Sequence, residues 1–273
     1  MTWGIVPAAG RGTRIQPLAF SKELLPVGSR TTAGGERPCA VSEYLLDRML
    51  CAGADRICFV ISPGKWDIMQ YFGAEYGPAP IAYVLQPHPT GLCDAIFRAE
   101  PVISRDEGVF VGLPDTVWFP EDALKTLPND RLAFLLFPVD QPQHFDAVVL
   151  DASGEVREIR VKHEAPQSHW IWGAFRMPGH VFADLKDLWL ARGRADEYIG
   201  TLVNAYLAAG GKAVGVTSGS AYVDVGTLNG YRTATALLAE YGASRATPAA
   251  EHLNRPALLP GATLYASAKE AQS

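Results

Sequence analysis

At 273 residues, 48% of them hydrophobic, the chain is long enough to bury a sizeable core, in one large domain or two small ones. A formal net charge of −5 argues against a nucleic-acid partner, and no apolar run reaches the roughly 18 residues that a membrane-spanning helix needs. Four cysteines without a C-x-x-C pair and six histidines without H-x-x-x-H or H-E-x-x-H spacing argue against a disulfide framework and a zinc site; the thiols read as reduced and the protein as cytoplasmic.

The opening residues MTWGIVPAAG lack a basic n-region and are not read as a signal peptide. The first predicted element is a short buried strand around Ile5 and Val6. It runs into Ala8-Ala9-Gly10-Arg11-Gly12-Thr13, a loop with almost no side-chain bulk apart from Arg11, whose backbone N–H groups can approach an anion closely. Arg11, Arg14 and Lys22 then place three cations in one segment against a single acid, Glu23. Strand, glycine-rich turn and clustered cations together suggest a phosphate cradle. Position 15 is Ile15 instead of a third glycine, so the dinucleotide fingerprint is incomplete, and no Gly-Lys-Ser/Thr marks a P-loop. The glycines alone fit a tight turn with solvated cations equally well.

Residues 28–38 (GSRTTAGGERP) read as a Gly/Thr-rich loop. A helix follows over 41–52, with Leu45, Leu46, Met49 and Leu50 on one face and Gly53 as its stop. Strands are expected over 56–61, 81–85 and 108–112, the last ending at Leu113-Pro114-Asp115, and helices over 65–72 and 91–100. This alternation predicts an α/β fold with a largely parallel sheet. Strands over 132–137, 147–150, 156–161 and 171–175 have few helices between them, which predicts an antiparallel extension that would shape an acceptor pocket. Helices over 181–190 and 199–208, short strands over 213–216 and 221–223, and a helix over 227–241 complete the pattern. Residues 1–241 are expected to form one domain, and 242–273, rich in Ala, Pro and Ser, a weakly ordered tail. There is no internal repeat, and in particular no hexapeptide repeat of an appended β-helix.

Gly10-x-Gly12-Thr13-Arg14, then Pro17-Leu18, then Lys22-x-Leu24-Leu25-Pro26-Val27 resembles the signature of the sugar-1-phosphate nucleotidyltransferases, and is most similar to the glucose-1-phosphate thymidylyltransferase branch. The resemblance extends from Ile5 to roughly Ala239. It implies a Rossmann-like (GT-A-like), three-layer fold, and a reaction in which a nucleoside triphosphate and a sugar 1-phosphate give a nucleotide sugar and pyrophosphate with the help of Mg²⁺. It implies no nucleic-acid or membrane partner and leaves room for a homo-oligomer. Ala9, Gly10, Gly12 and Thr13 would cradle the nucleotide, Arg14 would steady the triphosphate and leaving pyrophosphate, and Lys22 would contact phosphate oxygens. The family usually has Pro-Lys where this chain has Ser21-Lys22.

Three further blocks carry the resemblance. Gln86-Pro87-His88-Pro89-Thr90-Gly91-Leu92 resembles the family's nucleobase site, although on its own it reads as a proline-rich turn. There Gln86, offering a donor and an acceptor, would read the edge of a thymine or uracil, favouring dTTP or UTP, and Gly91 would let the base lie against backbone. Asp115, in Pro114-Asp115-Thr116 where the family often has Gly-Asp-Asn, would be catalytic and would hold the metal together with Asp224, in Tyr222-Val223-Asp224-Val225-Gly226-Thr227, similar to W-x-D-x-G-T. The competing readings are an Asp115 that caps a short helix at Glu121 and an Asp224 that merely precedes a helix. Lys162, in Val161-Lys162-His163 where Glu-Lys-Pro is usual, would bind the sugar phosphate, with Gly173 beneath the sugar and Asp146 standing where Tyr-Gly-Val is common. Two other readings stay open: a non-catalytic paralogue that binds nucleotide sugars and regulates a partner, and an enzyme of this fold with a non-sugar phosphate or phosphonate acceptor.

Overall fold

The apolar run of strand β1 (Thr2–Pro7) is buried on both faces, so it takes the middle of a parallel sheet. The computed structural model of the chain describes residues 1–32 and 34–242. After β1 come the hairpin β2 (Pro26–Thr32) and β3 (Gly35–Ala40), helix α1 (Val41–Cys51), β4 (Arg56–Ile61), α2 (Trp66–Phe72), β5 (Glu75–Tyr76), β6 (Ala79–Leu85) and α3 (Leu92–Phe97). They are followed by β7 (Gly108–Gly112), β8 (Thr116–Phe119), β9 (Leu132–Pro138), β10 (Asp146–Leu150), β11 (Val156–Val161) and β12 (Trp170–Pro178). The described chain closes with α4 (Gly179–Ala191), α5 (Ile199–Ala208), β13 (Ala213–Val216), β14 (Ala221–Asp224) and α6 (Leu228–Gly242).

Strands β7, β1, β4 and β6 run parallel, and β12 joins β7 antiparallel and leads into β9 and β10. The expected parallel core with an antiparallel extension is therefore present. Strand alternation divides the core: Ile5, Val60 and Val109 face α3, α4 and α5, while Val6, Phe59 and Phe110 face α1 and α2. Helices thus cover both faces of one sheet, a three-layer α/β arrangement. Strands β8 and β14 form a separate two-stranded ladder over a smaller core with Val27, Val117, Val225 and Ala234.

Two expectations are corrected, and one competing reading is set aside. The expected loop over 28–38 is instead largely paired: residues 29–32 lie against 35–38 in the β2–β3 hairpin. Its sequence lacks an apolar face because ion pairs hold it: Arg37 donates to both Glu43 oxygens at 2.9 and 2.7 Å, and Arg30 pairs with Asp47. The 91–100 helix is cut to Leu92–Phe97 and followed by a 3-10 turn, since Pro101 has no N–H to continue it. Asp115 does not cap a helix; it stands in the turn between β7 and β8. The expected tail from 243 onward lies outside the described residues.

Arg48 ties α1 to β8. Buried, it donates to the Trp118 carbonyl from Nε (3.0 Å) and Nη2 (2.6 Å) and to the Tyr44 carbonyl from Nη1 (2.7 Å). Replacing Arg48 by Met should leave the Trp118 carbonyl without its two donors and lower the unfolding free energy by about 3 kcal/mol, measured by urea denaturation. A loss below about 0.5 kcal/mol would mean that the ladder is held without it.

Candidate active site

Parallel strands end together, and their carboxyl ends supply the site. The chain leaving β1 is pinned by Ala8 N–H donating to Val60 O at 2.8 Å, and the chain leaving β6 by Gln86 N–H donating to Ile61 O at 2.8 Å. In the loop after β1, Ala8 and Ala9 are buried while Gly10, Arg11 and Thr13 are exposed. Gly12 has φ +64°, and a Cβ there would lie 2.8 Å from Lys22 Cδ, so this glycine lets the lysine stem lie on the loop. Gly10 faces open space, with nothing within 4 Å of where a Cβ would stand.

The start of α2 holds this loop and the lysine turn in one register. Lys65 donates to Ala8 O at 2.7 Å and to both Glu23 oxygens at 2.8 Å. Asp67 accepts from Ser21 N–H at 2.6 Å and from Ser21 Oγ at 2.7 Å. Ser21, at the position where the sequence pattern would have proline, thus fixes the approach to Lys22 by two hydrogen bonds, neither of which proline could make. Burial pushes the Glu23 carboxyl up against the opposing pull of Lys65 and Lys22, and pushes Lys65 down against the pull of Glu23. Between these segments lies an open cavity of about 350 Å³ lined by Arg11, Gln16, Phe20, Lys22 and Lys65 among others.

The two predicted metal acids meet. The β14–β8 ladder pairs Asp224 with Thr116, the residue after Asp115, and Val225 N–H donates to Asp115 O at 2.8 Å. Lys22 Nζ donates to Asp115 Oδ2 at 2.5 Å, and Arg14 Nη1 to Asp224 Oδ2 at 2.8 Å. A Cβ on Gly226 would lie 2.8 Å from Asp224 Oδ1, 3.0 Å from Asp115 Oδ2 and 3.1 Å from Arg14 Nη2. Gly226 therefore leaves the space in which both acids and the arginine converge. Burial works against the Asp115 charge, but Lys22 overrides it and holds the carboxyl below its ordinary range. Burial also opposes the Lys22 charge, but Asp115, Glu23 and Asp224 keep the ammonium above its ordinary range.

Of the nucleobase block, Gln86 is buried and its Nε2 donates to Gly91 O (3.0 Å) and Asp94 Oδ2 (2.8 Å). The amide donor that the sequence reading offered to a base is therefore committed within the protein. Gly91 has φ +104° and packs on the Glu197 backbone, where a Cβ would be 2.8 Å from the carbonyl oxygen. In the acceptor half, exposed Lys162 has φ 44°, donates from Nζ to Tyr198 OH at 3.1 Å and stands 4.4 Å above that ring. Asp146 lies opposite Val161 in the β10–β11 register, and burial raises its carboxyl against the pull of Trp172 and Lys162. Gly173 is the bulged residue of β12; a Cβ there would lie 2.5 Å from Phe137 and 2.7 Å from Tyr222. Tyr222 links the halves: burial, followed by Asp224, Asp115 and Asp146, holds its hydroxyl protonated. Sequence reasoning missed Lys65, Asp67, Asp94 and Tyr198, which lie in turns and first helical turns where a polar residue is unremarkable.

A family model described as nucleotidyl transferase matches residues 3–241. AglF, a UTP–glucose-1-phosphate uridylyltransferase of Haloferax volcanii, is 30% identical over 177 residues, covering 63% of this chain and 69% of that protein. A glucose-1-phosphate thymidylyltransferase of Mycolicibacterium smegmatis is 28% identical over 241 residues, 83% of this chain and 78% of that one. A Bacillus anthracis protein assigned as a glucose-1-phosphate thymidylyltransferase and solved with sucrose superposes with a TM-score of 0.73 at 23% identity, over 87% of this chain and 95% of that one. That last likeness bears on the fold.

The Lys22–Asp115 pair gives a pH test with a defined sign. In the wild type the depressed Asp115 pKa contributes stability above the ordinary carboxylate value of 3.8, and that contribution is lost as pH falls through the folded-state value. In Lys22→Met the buried carboxyl has lost its main cation and should titrate above the ordinary value, so ionising it costs stability as pH rises. The difference in urea unfolding free energy between wild type and variant should widen from about pH 4 to pH 7, by on the order of 1 kcal/mol or more. A pH-independent difference would show that Lys22 does not control the Asp115 charge.

Proposed function

Since the chain belongs to the nucleotidyl transferase family, we propose that it joins a nucleoside triphosphate to a sugar 1-phosphate, giving a nucleotide sugar and pyrophosphate. One observation carries this reading: two cations from the glycine-loop segment and two carboxylates from two distant segments converge at the carboxyl end of a parallel sheet. The relatives named above are enzymes that use glucose 1-phosphate, which disfavours both a non-catalytic role and a non-sugar acceptor.

In the reaction an oxygen of the sugar phosphate attacks the α-phosphorus, the bond to the β-phosphate breaks, and pyrophosphate leaves with the electron pair. No protein nucleophile is required, because both reactants bring their own phosphate oxygens. Catalysis then consists of alignment and charge stabilisation. The backbone from Ala9 to Thr13 receives the phosphates, while Arg14 and Lys22 exchange their carboxylate partners for phosphate oxygens. Lys162 meets the sugar phosphate, and Gly173 and Asp146 border the sugar.

Two carboxylates with oxygens converging next to a phosphate cradle fit Mg²⁺, which takes one or two carboxylates and fills its remaining positions with water and phosphate. Asp115 and Asp224 would hold the ion, which when bound supplies positive charge at the phosphates. Without a cation these acids would repel an incoming triphosphate, so their placement is itself support for one. Among the described residues no helix is long and apolar enough to cross a membrane; free cysteines Cys39, Cys51, Cys58 and Cys93 fit a reducing compartment such as the cytoplasm.

The decisive assay sets five triphosphates, dTTP included, against a panel of sugar 1-phosphates and scores pyrophosphate. Turnover should be highest with dTTP or UTP; equal or better turnover with ATP or GTP would overturn the base assignment. Asp115→Asn and Asp224→Asn should each keep the fold and lose at least about a hundredfold in kcat, roughly 2.7 kcal/mol of barrier, and the double variant should be little worse than the worse single one. Near-normal rates in either would displace the proposed metal site. Lys162→Ala should raise the acceptor KM far more than the triphosphate KM, by on the order of 2 kcal/mol of binding; a change confined to the triphosphate would assign this lysine to the other substrate.

A further inference from the structure

We infer that Asp94 sets base selection by locking the Gln86 amide so that it shows the base an acceptor and no donor. The inference rests on the proposed reading of Gln86 as a base contact. The orientation follows from the partners: Gln86 Nε2 has Asp94 Oδ2 at 2.8 Å and the Gly91 carbonyl at 3.0 Å. A carbonyl and an ionised carboxylate both only accept, so the NH₂ end must face them; a flipped amide would set oxygen against two oxygens. Asp94 is itself immobilised, accepting from Thr90 Oγ1 at 2.7 Å and pairing with Arg98 at 3.2 Å. Burial opposes its charge, while hydrogen bonds from Gln86, Thr90 and Arg98 keep its carboxyl below the ordinary range, so it stays an acceptor at neutral pH. Gln86 is also held through its backbone N–H on Ile61 O. The remaining polar atom, Oε1, is the end left for a ligand.

An acceptor presented alone selects for a donor. Uracil and thymine carry an N–H at position 3, whereas cytosine has a lone pair there. The ligand class assigned to this subsite is therefore a pyrimidine with an N3–H imide, and cytosine is rejected because two acceptors would face each other. Because uracil and thymine share that imide, Asp94 separates both from cytosine without separating them from each other.

The test compares kcat/KM for UTP, CTP and the triphosphate of pyrimidin-2-one riboside, which lacks both the N3–H and the 4-substituent, in the wild-type enzyme and in Asp94→Asn. The wild type should prefer UTP by at least about tenfold over both others. In Asp94→Asn the neighbour can also donate, so a flipped Gln86 meets one opposing oxygen, the Gly91 carbonyl, instead of two, and the UTP-to-CTP ratio should narrow at least about fivefold, chiefly through better use of CTP. A uniform loss for all three substrates with the ratio unchanged would overturn the inference and leave Asp94 as loop scaffolding. Wild-type use of the pyrimidinone at the UTP rate would instead overturn the reading of Gln86 as a base contact. Should Asp94→Asn fail to fold, side-chain amide NMR of the wild type decides: the Gln86 NH₂ protons should stay protected and nearly unshifted when UTP binds, and a large shift would show that they, and not Oε1, meet the base.

Discussion

The pairing of β14 with β8 is the constraint on which the site depends. It sets Asp224 beside Thr116, and so beside Asp115, although the two acids lie in distant parts of the chain. Gly226 then keeps the gap between them free of side-chain bulk. Each acid is neutralised from the glycine-loop segment, Asp115 by Lys22 and Asp224 by Arg14. Carboxylates placed this close would otherwise repel each other and raise one another's pKa. On the proposed function, the pairs that hold the site together are the ones a metal–triphosphate complex would replace, cation for cation and anion for anion.

Around this centre the protein spends buried polar groups on position. Lys65 and Asp67, both at the start of α2, hold the residues on either side of Lys22, and Lys65 also holds the loop that begins at Ala8. A buried ion pair such as Lys65–Glu23 contributes little net stability once desolvation is counted. Its place against Ala8 O and next to Lys22 gives it a geometric role: one lysine sets the distance between the glycine loop and the Lys22 turn. Arg48 does the same for α1 and the β8 ladder through carbonyls alone.

Much of the sheet was legible in the sequence because buried parallel strands such as GIVP and RICFVI are continuous apolar runs. The glycine loop, Lys22, Asp115 and Asp224 were legible through the spacing of the signature, and the structure brings them together. The β2–β3 hairpin was not, because its stability comes from Arg30 and Arg37 reaching acids on α1, a long-range pairing that leaves no local period. Strand β8 was hidden for a related reason: TVWF is only four residues long, and its partner β14 lies far along the chain. Gln86 could be picked out by its motif, but its amide is oriented by Asp94, and only the fold shows that contact.

The convergence of Asp115 and Asp224 on one cation beside the glycine loop is most directly tested by paramagnetic relaxation. Mn²⁺ in place of Mg²⁺, added to isotopically labelled protein with a non-reacting α,β-methylene triphosphate, should broaden the backbone signals of residues 10–14, 115 and 224–226 together, and only weakly those at the opposite, amino end of the sheet, such as Thr2, Arg56 and Gly108. Broadening centred elsewhere, or confined to one of the two acids, would contradict the placement of the reaction at this site.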